Sequence, residues 1–109
     1  MQDIDELGIV QVIKEIVKKL EEECDGIYLS FDIDSCDGSL FPGSGTPETG
    51  GLTAREACYI TQAVASSPKF LGMDLVELNI GLDPQGTTTE LALRIIDSAL
   101  GCRIGGRFE

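Results

Sequence analysis

The stretch Ile27-Tyr28-Leu29-Ser30-Phe31-Asp32-Ile33-Asp34 decides how the chain is read. Its near-continuous apolar start suits a strand buried in a parallel sheet better than an exposed hairpin. The run ends in two aspartates two residues apart. Strand alternation directs both side chains to one face while Ile33 packs on the other. Parallel sheets place their ligands at the carboxyl ends of strands. Two carboxylates held together there repel each other unless a cation or a proton lies between them, and a divalent metal is the natural resolution. The alternative is a pair of aspartates that cap the following loop.

Upstream of this strand, Ile9, Val12, Ile13, Ile16, Val17 and Leu20 form one apolar stripe, which predicts an amphipathic helix over 7–20. Lys14, Glu15, Lys18, Lys19 and the run Glu21 to Glu23 read as its solvated face, and Asp25-Gly26 ends it. Downstream, residues 35–52 hold five glycines and two prolines and read as one long loop. Loops of this length in compact domains are usually functional or disordered. Leu40 and Phe41 call for burial, which argues for order. Thr53 with Glu56 has capping-box spacing and opens a second helix with Ala57, Ile60 and Val64 inward. Phe70 to Leu78 reads as a second apolar strand, interrupted by Asp74 and Glu77. Thr87 with Glu90 repeats the capping box ahead of a third helix lined by Ala92, Ile95, Ile96, Ala99 and Leu100, with Gly101 placed to end it.

The order helix–strand–loop–helix–strand–helix is that of an α/β protein with parallel strands joined by crossovers. Two strands are too few for a parallel sheet, which needs both faces covered and its edges protected. The chain therefore reads as the end of a larger domain. Glu77 lies toward the carboxyl end of the second strand and is expected to open into the same crevice as Asp32 and Asp34. Three convergent carboxylates suggest a metal together with a cationic substrate group.

Composition narrows the chemistry. With 109 residues there is room for one small domain, and the balance of 42% hydrophobic and 25% charged residues is that of an ordinary globular protein. A net charge of -11 excludes a nucleic-acid groove, which needs basic residues along the phosphates. No apolar run approaches the length of a membrane span. The opening MQDIDEL is acidic and lacks the order of a secretion signal. Cys24, Cys36, Cys58 and Cys102 make no CxxC pair, and they read as reduced thiols of an intracellular protein. The chain has no histidine, so catalysis falls on carboxylates or on groups this chain lacks.

The segments S-F-D-I-D (30–34), P-G-S-G-T-P-E-T-G-G-L-T-A-R-E (42–56) and G-M-D-L-V-E-L-N (72–79) together resemble the C-terminal part of the ureohydrolases, the family of arginase, agmatinase and their relatives. The likeness runs from Met1 to about Gly101. The opening M-Q-D-I-D-E-L-G-I is similar to the arginase segment preceding the same strand. Glu77-Leu78-Asn79 and the run Gly51 to Glu56 with Tyr59-Ile60 are closest to arginase. The resemblance implies a portion of a three-layer parallel-sheet fold, with residues 1–109 the C-terminal portion of a single domain and the N-terminal portion absent. The family's G-G-D-H and D-x-H-x-D motifs, which carry its other metal ligands, do not occur in this sequence. Gly38 stands where the family usually has proline, and Cys36 where a larger apolar residue is common. Neither is an inferred ligand.

By the same resemblance, Asp32 bridges two manganese ions (Mn2+) and Asp34 holds one of them. Thr46 lies beside the substrate and Glu77 receives its guanidinium group. The implied reaction is two-metal hydrolysis of a guanidino C–N bond with release of urea, from L-arginine first and from agmatine or another guanidino compound otherwise. The chain alone is expected to be inactive, and a truncated protein that only associates with other subunits is the non-catalytic alternative. A homo-oligomeric cytoplasmic enzyme is expected, with a mitochondrial one as the variant. F-D-I-D-S after an apolar strand is also similar to aspartyl phosphatases of the haloacid dehalogenase type. That reading leaves G-T-P-E-T-G-G and D-L-V-E unexplained.

Overall fold

A computed structural model describes residues 2–43, 49–103 and 107–108. The elements are α1 (Gln2–Leu7), α2 (Ile9–Glu23), β1 (Ile27–Asp32), a 3-10 turn (Ile33–Ser35), α3 (Ala54–Ala65), β2 (Phe70–Val76), a 3-10 turn (Ile80–Leu82) and α4 (Thr87–Ala99). A short antiparallel pair, β3 (Cys102–Arg103) and β4 (Arg107–Phe108), follows. β1 and β2 pair in parallel, from Ile27 opposite Phe70 to Asp32 opposite Val76. The chain is thus an α/β unit with its two main strands running together, as the alternation of elements predicts. Among the described residues no helix is long and apolar enough to cross a membrane.

The core lies on one face of this ribbon. Phe31, Ile33, Cys36, Leu52, Ala57, Cys58, Leu91 and Ile95 are buried against one another. Burial alternates along β1, with Ile27 and Phe31 inside and Tyr28, Ser30 and Asp32 exposed. The double-sided burial expected of β1 is therefore not met among the described residues. Leu71 on β2 is 77% exposed for the same reason.

Several boundaries differ from the sequence expectations. Gly8, at φ 84 and ψ 151, separates α1 from α2, so the N-terminal helix is two helices. Of the α2 stripe only Ile13 is fully buried, and Ile16 is exposed. The C-terminus of α2 is held by Lys69, whose Nζ donates to the carbonyls of Glu21 and Cys24; a cation suits that end of the helix dipole. The capping box of α3 is present: Glu56 N donates to Thr53 Oγ1 at 3.2 Å and Thr53 N donates to Glu56 Oε1 at 3.0 Å. The second capping box is not. Thr87 is already helical, the N-cap is Gly86, and no side chain of that residue serves as cap.

On α4 the buried stripe is Thr88, Leu91, Ala92, Ile95 and Ser98, whereas Ile96 and Leu100 are exposed. The inward face is rotated from the apolar stripe expected, because it includes a threonine and a serine. Gly101, at φ 98, follows the end of α4 as expected. Leu40 is exposed, while Phe41 packs on the core.

Candidate functional site at the carboxyl edge of the sheet

β1 stops at Asp32 because the aspartate caps the turn that follows. Its Oδ1 accepts a hydrogen bond from Asp34 N at 2.8 Å, and its carbonyl accepts one from Ser35 Oγ at 2.7 Å. A short polar side chain that bonds nearby backbone competes with continuation of the strand. The placement of Asp34 is therefore set by a 3-10 turn and not by strand alternation, although Ile33 is buried as expected. The Asp32 side chain is exposed and that of Asp34 half-buried.

Glu77 follows immediately on Val76, the partner of Asp32 across the sheet. The register therefore brings Asp32 and Glu77 to the same edge, with Glu77 one residue past the end of β2. Glu77 is exposed and, among the described residues, is the non-glycine residue with positive φ, at 69°. For a glutamate this backbone is uncommon, and such strain costs on the order of 1–3 kcal/mol and clusters at functional sites. The other aspartate of β2, Asp74, is accounted for by its neighbours. Ser30 Oγ donates to its Oδ1 at 2.7 Å and Tyr28 OH to its Oδ2 at 3.1 Å.

The long loop is tied down at both ends. Cys36 and Leu52 form a parallel bridge, with Asp37 N donating to Leu52 O at 2.9 Å and Leu52 N to Ser35 O at 2.8 Å. A Cβ on Gly51 would lie 2.6 Å from Ser35 O, so only glycine permits this approach. Ser39 donates from its backbone and hydroxyl to Asp37 Oδ1, and these bonds hold the Asp37 carboxyl below its usual pKa. Burial pushes the Cys36 thiol up to about 11, so it is an inert packing group beside Cys58. Cys24, Cys36 and Cys58 are all free thiols, as the sequence implies. Thr46 falls within 44–48, outside the described residues.

Sequence reasoning missed Asp83. It is buried and caps α4, accepting bonds from Thr88 N at 3.1 Å, Thr89 N at 2.8 Å and Thr89 Oγ1 at 2.8 Å. Burial works to raise its pKa, but the bonds from Thr89 and Thr88 outweigh it and hold the carboxyl below the usual range. The signal is the aspartate just before Pro84 and the Gly-Thr-Thr-Thr run that follows, where the sequence expectation places a Thr87–Glu90 capping box instead.

The donor set at the sheet edge consists of hard oxygens, which suit manganese or magnesium. Asp32 and Asp34 could supply two ligands, but among the described residues no group of three His, Cys, Asp or Glu side chains is arranged to hold a metal. A cleft of about 410 Å³ opens elsewhere, lined by residues such as Ile9, Val10, Arg55 and Tyr59, and none of Asp32, Asp34 or Glu77 lines it.

The likeness to known proteins runs along nearly the whole chain. The arginase of Bacillus caldovelox is 37% identical over 101 residues, covering 93% of this chain and 34% of that protein. Its native structure at pH 5.6 superposes with a TM-score of 0.87 over 94% of this chain and 34% of that one. The mitochondrial arginase-2 of Rattus norvegicus is 42% identical over 112 residues, covering 97% of this chain and 32% of that protein. The agmatine ureohydrolase of Thermoplasma volcanium superposes with a TM-score of 0.72 at 26% identity, over 90% of this chain and 31% of that one. The chain thus spans about a third of the length of the curated relatives it matches. Residues 1–102 match the Arginase family, and with the parallel β1–β2 pair and its acidic carboxyl edge this shows that the chain belongs to that family.

Proposed function

We propose that this chain contributes the carboxyl edge of a manganese-dependent ureohydrolase site that hydrolyses a guanidino C–N bond and releases urea, with L-arginine as substrate and L-ornithine as the second product. The observation that carries the reading is the register of β1 against β2, which sets Glu77 beside the end of the strand that bears Asp32. Asp32 and Asp34 would hold the manganese. When bound, manganese supplies Lewis acidity toward water and substrate. Glu77 faces the planar guanidinium, accepts its N–H groups in charge-assisted hydrogen bonds and orients the carbon to be attacked. Thr46 is assigned to the substrate beside it. Arginine is preferred over agmatine because the curated relatives at 37% and 42% identity are arginases.

The same reading holds that the 109-residue chain does not turn over by itself, since two aspartates alone hold hydrated divalent ions weakly. The test is urea release from L-arginine with manganese present, measured on the chain alone and on a domain that joins it to a segment carrying G-G-D-H and D-x-H-x-D. Activity is expected only in the joined domain, and it should be lost with Asp32→Asn. Activity of the joined domain that survives Asp32→Asn would overturn the assignment.

A further inference from the structure

The left-handed backbone of Glu77 needs something to hold it, because a strained conformation persists only where its surroundings over-determine it. Two residues further on, Asn79 N donates to the carbonyl of Gly43 at 2.8 Å, and Asn79 Oδ1 accepts from Gly81 N at 3.0 Å. Gly43 is itself gripped from the other side. Its N–H donates to Thr88 Oγ1 at 2.9 Å, and a Cβ in its place would lie 2.7 Å from Thr88 Cβ and 2.8 Å from Asp83 Cβ. Thr88 is fully buried, at 0% exposure, and its own N–H is bonded to Asp83. A hydroxyl buried on the inner face of α4 is thus bonded, through a single glycine, to the turn that follows Glu77.

We infer that Thr88 is a positioning residue for Glu77, holding through Gly43 the turn that fixes the Glu77 backbone at the carboxyl edge of the sheet. The inference rests on the proposed role of Glu77 toward guanidinium. It assigns the threonine hydroxyl a task beyond packing. An apolar residue of the same shape fills the space but leaves Gly43 N–H buried without an acceptor, which frees Gly43 and with it Asn79. Serine keeps the acceptor and loses only a methyl group.

The test is NMR on the full 109-residue chain. In the wild type the Glu77 backbone shifts and three-bond coupling should report a left-handed residue, and the Gly43 and Asn79 amides should be protected from exchange. Thr88→Val should move the Glu77 signals toward extended values and speed exchange at Asn79 by about tenfold or more, while Thr88→Ser restores both. Ile95→Val, a core change on the same helix with no bond to Gly43, should weaken the fold and leave the Glu77 signals in place. Wild-type behaviour at Glu77 and Asn79 in Thr88→Val would overturn the inference, as would an equal change in Ile95→Val. Should Thr88→Val not fold, the wild type and Thr88→Ser decide. Gly43 and Asn79 must share one protection factor, and factors differing by more than about tenfold would refute a common clamp. Titration of the joined domain with L-arginine in the presence of manganese reads the guanidinium role separately: no response at Glu77 counts against that role and leaves the Thr88 result standing.

Discussion

Asp32 and Asp83 are both capping aspartates, Asp32 at the end of β1 and Asp83 ahead of α4, yet their surroundings differ in kind. Asp83 is buried, and three donors from Thr88 and Thr89 lie within 3.1 Å of its two oxygens. Asp32 is exposed and accepts one local bond on Oδ1, from Asp34 N. A carboxylate enclosed by donors is saturated and serves the fold. One that spends a single oxygen on its own turn keeps the rest of its capacity for a cation. On the proposed function the α4 end of the molecule serves stability and the sheet edge serves ligands, and strain follows the same division, since Glu77 carries its positive φ at the sheet edge.

The largest expected effect lies on the ligand side. In the joined domain Glu77→Gln keeps shape but removes the charge proposed to pair with the guanidinium. Loss of such a partner costs about 2–5 kcal/mol, so kcat/KM should fall by roughly tens to thousands of fold with the melting temperature unchanged. Full activity in this variant would erase the distinction between the two ends. On the stability side Ile95→Ala removes a side chain at 0% exposure and should destabilise by about 2–5 kcal/mol in denaturant unfolding. A negligible loss would mean that α4 is not the anchor described.

Smaller effects sharpen the contrast between the two helix starts. Thr53→Ala breaks a formed capping box and should cost about 0.5–2 kcal/mol, whereas Thr87→Ala should cost much less, because Thr87 is not the cap of α4. Equal losses in a thermal melt would contradict the cap assignment. The smallest effect concerns Cys36. Its folded pKa is raised from 9.0 to about 11, so its contribution is intact below pH 9 and is lost as pH rises toward 11. Alkylation at pH 8 should label the partly exposed Cys24 well before Cys36; the reverse order would contradict the buried thiol.

The alternation of helices and apolar runs made the parallel pair legible, and the Thr53–Glu56 spacing located the start of α3 to the residue. The α4 face was misjudged because its inner stripe includes Thr88 and Ser98, which a reading by hydrophobicity assigns to solvent. Those two polar residues are buried for what they bond: Thr88 accepts from Gly43, and Ser98 donates to Arg94 O at 2.9 Å. The common edge of Asp32 and Glu77 could be anticipated because strand register is a long-range consequence of simple alternation. The 3-10 turn at Asp34 and the left-handed Glu77 could not, since both depend on hydrogen bonds that propensity does not encode.

Manganese analysis of the joined domain separates the two kinds of aspartate most directly. Purified Asp32→Asn and Asp83→Asn proteins are compared for metal bound per folded chain, with folding checked by circular dichroism. Asp32→Asn should remain folded and lose manganese, whereas Asp83→Asn should be less stable but keep wild-type manganese in its folded fraction. Full manganese in Asp32→Asn, or equal loss of metal in folded Asp83→Asn, would contradict the assignment of the metal to the sheet edge.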